Sequence, residues 1–153
     1  MKLYRITKAK YASTAWTGAG ASAVGGRWNS AGHKAVYVAE SIALAQLEIL
    51  VHVESAALLS KYVCYEIEVP ETLIRRLDAS ALPTNWQEDP APDETQEIGD
   101  QWLEGGDALA LLVPSTIVPQ EINAILNPQH PDYDDLIASA VEIPFVFDPR
   151  LSR

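Results

Sequence analysis

Three short apolar runs crowd the C-terminal half of the chain, Leu109–Val113, Ile122–Leu126 and Ile143–Phe147, with no repeating strand–helix–strand alternation. Parallel neighbours need a crossover of about a dozen residues or more, usually a helix, so this spacing argues against a doubly wound fold. More strands are expected upstream. Lys2–Ile6 reads as an opening strand and Ala35–Ala39 (Ala-Val-Tyr-Val-Ala) as a short apolar one. In Tyr62–Val69, Val63, Tyr65, Ile67 and Val69 alternate with Cys64, Glu66 and Glu68, which places Cys64 on the polar side, and Pro70 ends the run. The class that follows is α+β, built on a curved mixed or mainly antiparallel sheet. At 153 residues the chain has the length of a single domain, 1–153. Such a length buries on the order of 70% of the unfolded surface, so neither disulfides nor metal are needed to hold a core.

The helical signals are fewer. Ser41 suits the N-cap of a helix running to about Glu54, apolar nearly all round and therefore expected to be largely buried. Glu71–Leu77 suggests a short helix, and Asp93–Glu104 a polar one carrying Ile98, Trp102 and Leu103, stopped by Gly105-Gly106. Thr17–Gly26 is almost entirely small residues and reads as a mobile loop. Pro83–Asp93, with its prolines and acids, reads as a surface loop, and Asn127–Asp132 as a turn-rich stretch.

Charge excludes some functions. Eleven lysines and arginines stand against 21 aspartates and glutamates, a net −10, which is the opposite of a nucleic-acid binder's footprint. Any anionic ligand must then be held by a few local cations. No run reaches the ~18 apolar residues of a membrane span. The opening Met1–Ile6 lacks a signal-peptide pattern, and a lone cysteine fits a reducing cytoplasm.

On the Ser41 helix, Ser41, Leu44, Glu48 and His52 fall on one stripe. A carboxylate among apolar neighbours is costly unless a cation or donor satisfies it, so Glu48 is either one half of a structural ion pair or a functional group. Glu48 and His52 could ligate a metal only with a further ligand, and neither His33 nor His130 stands in a supporting motif; no metal is expected. In Gly25-Gly26-Arg27-Trp28-Asn29, paired glycines allow close backbone approach, and Arg27 can grip a phosphate or carboxylate with its fork. Gly18-Ala19-Gly20-Ala21-Ser22-Ala23 matches a dinucleotide fingerprint only formally, without the strand and helix context that gives the motif meaning. Ser115 lacks the surroundings of a hydrolase nucleophile, and Cys64 has no local activating group.

The ordered set Gly-Gly-Arg27-Trp-Asn, Val-Tyr37-Val-Ala, Glu48 in Ala-Leu-Ala-Gln-Leu-Glu-Ile-Leu-Val-His, and Val-Pro-Ser115 resembles the RES domain family. Tyr4-Arg5-Ile6, Gly18-Ala19-Gly20, Glu121-Ile122-Asn123-Ala124, Asn127-Pro128, His130-Pro131-Asp132 and Phe147-Asp148-Pro149-Arg150-Leu151 extend the resemblance over nearly the whole chain, the acidic central loop excepted. The resemblance implies a cytoplasmic bacterial toxin of a toxin–antitoxin pair, with an ADP-ribosyltransferase-like fold and an Xre-type helix-turn-helix antitoxin that would carry any DNA binding. It also implies that NAD+ is consumed as substrate, with no further cofactor, by hydrolysis, phosphorolysis or transfer of ADP-ribose to a protein. Under that reading Glu48, Arg27 and Tyr37 carry catalysis: Glu48 stabilises the ribosyl cation, Arg27 grips the pyrophosphate or orients Glu48, and Tyr37 stacks on the nicotinamide. Ser115 positions Glu48 or the ribose, with Asn123 and Arg5 as further substrate contacts. The rival readings are a protein-directed ADP-ribosyltransferase and a catalytically silent binding module in which Arg27 and Glu48 merely pair.

Overall fold

The computed structural model describes residues 1–53 and 61–152. Its strands are β1 (Lys2–Lys8), β2 (Val36–Ala39), β3 (Tyr62–Glu68), β4 (Ile74–Arg76), β5 (Ala110–Pro114), β6 (Ile122–Leu126) and β7 (Val141–Ile143). Its α-helices are α1 (Ala19–Val24), α2 (Ile42–Leu50), α3 (Asp93–Gly105) and α4 (Tyr133–Ala138). The strands form one open sheet in the order β4-β5-β6-β2-β1-β3-β7. Among the described strands only the β4–β5 pair is parallel, so the sheet is mixed and mainly antiparallel, as the strand spacing implies.

Strand pairing decides what each face carries. Leu3 lies opposite Ile67, and Val38 opposite Ala124. With Val36, Leu112 and Leu126 they form a core closed by Tyr133 and Leu136 of α4. On the other face Tyr37 lies opposite Ile125, Ala39 opposite Asn123, and Ile6 opposite Cys64. There Ile6, Ala39 and Cys64 pack under Leu44 and Ala45 of α2, with Phe147. Farther along the same face, Leu111, Val113 and Ile125 pack under Leu103 of α3 and against Trp28. Both long helices therefore stand on one side of the sheet, α2 toward β1 and β2 and α3 toward β5 and β6. The polar face residues Tyr37 and Asn123 sit between them.

Several expectations change. Cys64 does not face the polar side: both faces of β3 are covered, so the alternation separates two cores, and burial pushes the thiol up to about 11. The small-residue stretch is not wholly loop, because α1 forms within it between Gly18 and Gly25, whose φ of +73° and +76° suit glycine. Glu71–Leu77 gives only a 3₁₀ turn before running into β4, which pairs with β5. The last strand ends at Ile143, beyond which Phe145 and Phe147 pack edge-on at 5.0 Å. Helix α2 starts where expected, with the Ser41 hydroxyl accepting from Leu44 N–H at 3.0 Å, and ends at Leu50. The expected end at Glu54 lies outside the described residues. It is also less buried than its composition suggests, since Leu47 is 38% exposed and Val51 beyond it 58%.

Helix α3 is fastened to the turn after Asn29. Asp100 accepts from the Ser30 N–H at 2.9 Å and from its hydroxyl, and Glu104 lies 2.8 Å from His33 Nε2. The Glu104 contact, aided by the charge of Asp100, raises the His33 pKa above its usual 6.5. A group with a raised folded pKa contributes fully below its unfolded value and loses that contribution as pH rises through the folded one. Replacing His33 by glutamine is therefore expected to lower the urea midpoint near about pH 5.5 and to leave it unchanged near about pH 8.5. The acid-side loss is no more than about 1 kcal/mol, because the principal partner, Glu104, is solvent-exposed.

Candidate active site

Between α2 and α3 the sheet carries an open cleft of about 950 Å³, within the range of small-molecule sites. Glu48 reaches it from the last turn of α2, two turns after the Ser41 cap. Its Oε1 accepts from Asn123 Nδ2 at 2.6 Å and from Ser115 Oγ at 3.0 Å. Ser115 Oγ itself accepts the N–H groups of Ile117 and Val118 at 3.1 and 3.2 Å, so its proton is committed to Glu48. Among the described residues Glu48 has no ion-pair partner, and its Oε2 has no hydrogen bond. The carboxylate is thus gripped on one oxygen and left free on the other.

Ser115 is fully buried behind Glu48, so of its two expected roles, holding the glutamate is the one its position permits. Asn123 lines the cleft, while its buried Oδ1 has no hydrogen-bond partner. Leaving a buried acceptor unpaired costs about 1–3 kcal/mol, a cost borne here while Nδ2 holds Glu48. Truncating Ser115 to alanine removes a donor to Glu48 and an acceptor for two amides. If Glu48 carries the chemistry, steady-state turnover should fall by roughly ten- to a hundredfold while substrate affinity changes little.

The cleft's other wall is built around Asn29, which is fully buried. Its Nδ2 donates to Ala21 O at 2.9 Å and His33 O at 3.0 Å, and its Oδ1 accepts from the Tyr37 hydroxyl at 2.7 Å. That hydroxyl also accepts from Trp28 N–H at 3.0 Å, and burial raises its pKa far above the usual 10. The polar end of Tyr37 is therefore used in holding the Gly25–Asn29 turn, and the residue lines the cleft. Gly26 sits against it: a Cβ there would lie 2.7 Å from the Tyr37 hydroxyl, which is why this turn tolerates no side chain.

Arg27 lines the same cleft without touching Glu48. Its Nη1 donates to the carbonyls of Trp86 and Glu88, each at 2.8 Å. The expected alternatives of Arg27 orienting Glu48, or pairing with it, give way to this contact; Ser115 and Asn123 orient the glutamate instead. Arg5 lies on β1, its Nε on Ala15 O at 2.7 Å and its Nη1 on Tyr37 O at 2.9 Å. Burial lowers its pKa, yet a guanidinium remains charged at neutral pH. Five of the six residues singled out in the sequence thus line one cleft, Glu48 and Asn123 bonded to each other, Tyr37 on β2, Arg27 on the facing turn and Arg5 on β1, with Ser115 buried behind Glu48.

The RES domain profile matches residues 2–148. The chain belongs to the RES domain family. It is 47% identical over 151 residues to "Toxin Res" of Yersinia enterocolitica, covering 99% of both chains. It is 42% identical over 141 residues to a "Prs ADP-ribosylating toxin" of Sphingobium, covering 90% of this chain and 86% of that one. Among solved structures it superposes on the M. tuberculosis MbcT–MbcA toxin–antitoxin complex with a TM-score of 0.73 at 19% identity, over 99% of this chain and 86% of that chain. The matching toxin has the ADP-ribosyltransferase-like architecture implied by the resemblance, and at that identity the likeness speaks for fold.

Sequence reasoning missed three contributors to this RES domain site. Gln96 of α3 lines the cleft and donates to Gly26 O at 2.9 Å. Gln87 and Asp89, in what reads as a surface loop, also line it. Nothing in a polar helix or an acidic loop marks such residues before the fold brings them to the cleft. Among the described residues no cluster of three metal-ligating side chains forms, and no helix is long and apolar enough to cross a membrane.

Proposed function

We propose that this chain is the toxin of a toxin–antitoxin pair and that it cleaves the nicotinamide–ribose bond of NAD+ in the cytoplasm. One observation carries the reading: a glutamate in a cleft of about 950 Å³, held on Oε1 by Ser115 and Asn123, with Oε2 free and no cation neutralising it among the described residues. Nicotinamide in NAD+ is a cationic leaving group that departs neutral with the bonding electron pair, so no general acid is required. One carboxylate then suffices where glycosidases commonly use two. The ribose passes through an oxocarbenium-like state, and a fixed anion beside it stabilises that state more than the ground state. Glu48 is that anion. The Tyr37 ring offers a face for the nicotinamide, and Arg5 and Arg27 supply the local positive charge that a −10 chain needs for a dinucleotide. The nucleophile that captures the ribosyl carbon loses a proton to solvent.

Water or phosphate as acceptor fits an open cleft. Protein as acceptor is the second reading, favoured by the 42% identity to a relative named for ADP-ribosylating Prs. The matched solved structure is a toxin–antitoxin complex, which supports an antitoxin partner; an Xre-type helix-turn-helix protein supplies the DNA contact that this acidic chain lacks. Proton NMR of NAD+ incubated with antitoxin-free protein, with and without phosphate, tests the reading. Free nicotinamide together with ADP-ribose or its 1″-phosphate supports it and names the acceptor. Intact NAD+ over folded protein, with no target added, removes the water and phosphate readings.

A further inference from the structure

The segment Pro83–Pro92 forms part of the cleft wall: Gln87, Asp89, Pro90 and Ala91 line it together with Arg27 and Tyr37. Its internal bonds are short-range turns, Trp86 N–H to Pro83 O at 3.1 Å and Glu88 N–H to Asn85 O at 3.0 Å. Trp86 packs against the cluster of Trp28, Leu103 and Leu111, while Gln87 to Pro90 are exposed. Among the described residues, the hydrogen bonds joining residues 84–91 to the rest of the protein, apart from the Trp86–Pro83 turn, are those from Arg27 Nη1 to Trp86 O and Glu88 O. Among the described residues the Nε and Nη2 of the same guanidinium have no hydrogen-bond partner, and Arg27 borders the cleft. One rigid planar fork therefore has one corner in the strap and its other edge available to a ligand.

We propose that Arg27 is a clasp. It fastens the strap 84–91 as a wall of the cleft, and a diphosphate anion taken on its free edge tightens that wall, so that dinucleotide binding and strap closure are one event. The coupling half rests on the proposed NAD+ reading; the clasp half does not. Arg27 is on this account a positioning residue for the strap as well as an anion ligand. A charge-assisted fork immobilised by phosphate opens less readily than one held by two carbonyls alone.

Chymotrypsin reads the strap directly, because it cuts after Trp86, whose carbonyl Arg27 holds. Cleavage at Trp86–Gln87 is followed by mass spectrometry in wild type, Arg27→Ala and Arg27→Lys, with thermal melts confirming that each is folded. When opening is fast relative to cleavage, the rate follows the open population. Loss of both bonds should speed ligand-free cutting by about tenfold in Arg27→Ala, with Arg27→Lys intermediate. Equal ligand-free rates in wild type and the Arg27 variants overturn the clasp. In a Glu48→Gln background, which prevents turnover, saturating NAD+ should slow cutting by about fivefold, and this protection should be absent when Arg27→Lys is added and calorimetry shows its site filled. Full protection in that Lys variant overturns the coupling. If calorimetry detects no NAD+ binding to Arg27-containing protein, the functional reading and the coupling fail together, while the ligand-free comparison still decides the clasp.

Discussion

Glu48→Gln is expected to abolish NAD+ cleavage while leaving the protein folded. Glutamine keeps an oxygen where Ser115 Oγ and Asn123 Nδ2 donate, and those two donors fix its orientation, because an amide nitrogen turned toward them would meet two donors. The NH₂ then occupies the place of the free Oε2. Shape and internal hydrogen bonds are conserved and only the charge facing the cleft is lost. Electrostatic stabilisation of a developing cation in such a site is worth about two to three orders of magnitude in rate, and more where it is the principal device. Nicotinamide release should fall by at least about a thousandfold. The urea midpoint should move by less than about 1 kcal/mol equivalent, since no ion pair is broken. Undiminished release would remove Glu48 from the chemistry. Loss of release accompanied by a large loss of stability would make the glutamate structural.

The parts of this fold that could be read from the chain are those that depend on local chemistry. Ser41 caps α2 because a hydroxyl before an apolar run accepts the Leu44 amide, and this contact is visible in sequence. The alternation in β3 is legible as a strand, but not which side is wet: Cys64 fell on the wrong side because burial of both faces is a property of the sheet's neighbours. The short helices α1 and α4 are six residues each, less than two turns, and too brief for a hydrophobic period to declare itself. Within the site, Glu48 and Arg27 stand out by their local chemistry, and Tyr37, Ser115, Asn123 and Arg5 through resemblance; the cleft is lined by all of them but Ser115, which is buried behind Glu48. Their connections were not legible. Whether Arg27 reaches Glu48 or the strap depends on where residues 86–88 lie, some 60 positions along the chain, and no spacing rule encodes that.

Gly99→Ala should be the most damaging small substitution to stability, against the expectation from helix propensity. Alanine in a helix interior gains about 1 kcal/mol over glycine, so an exposed site on α3 would be stabilised. Gly99, however, is buried on the stripe of Thr95 and Leu103, and a Cβ there would lie 1.7 Å from the carbonyl oxygen of Trp28 and 2.5 Å from its carbon. Both obstacles are backbone, and neither can rotate away. Trp28 is pinned, since its N–H is bonded to the Tyr37 hydroxyl and its side chain is buried against Leu103 and Leu111. Relieving the clash requires α3 to separate from the Gly25–Asn29 turn, pulling apart the Gln96–Gly26 bond and the Ser30–Asp100 contacts. Steric gain and loss are therefore unequal, and a net cost of about 4 kcal/mol or more is expected, a large part of a domain's usual 5–15. The thermal midpoint should drop by about 10 °C or more. Any molecules still folded should bind NAD+ poorly, because the turn that moves carries Arg27. Gly105→Ala is the control on the same helix: its added Cβ meets nothing within 4 Å, so its midpoint should stay at or slightly above that of the parent. If the two substitutions melt alike, helix α3 does not rest on the Trp28 backbone, and the cleft wall that Arg27 and Asn29 build is held by something other than this contact.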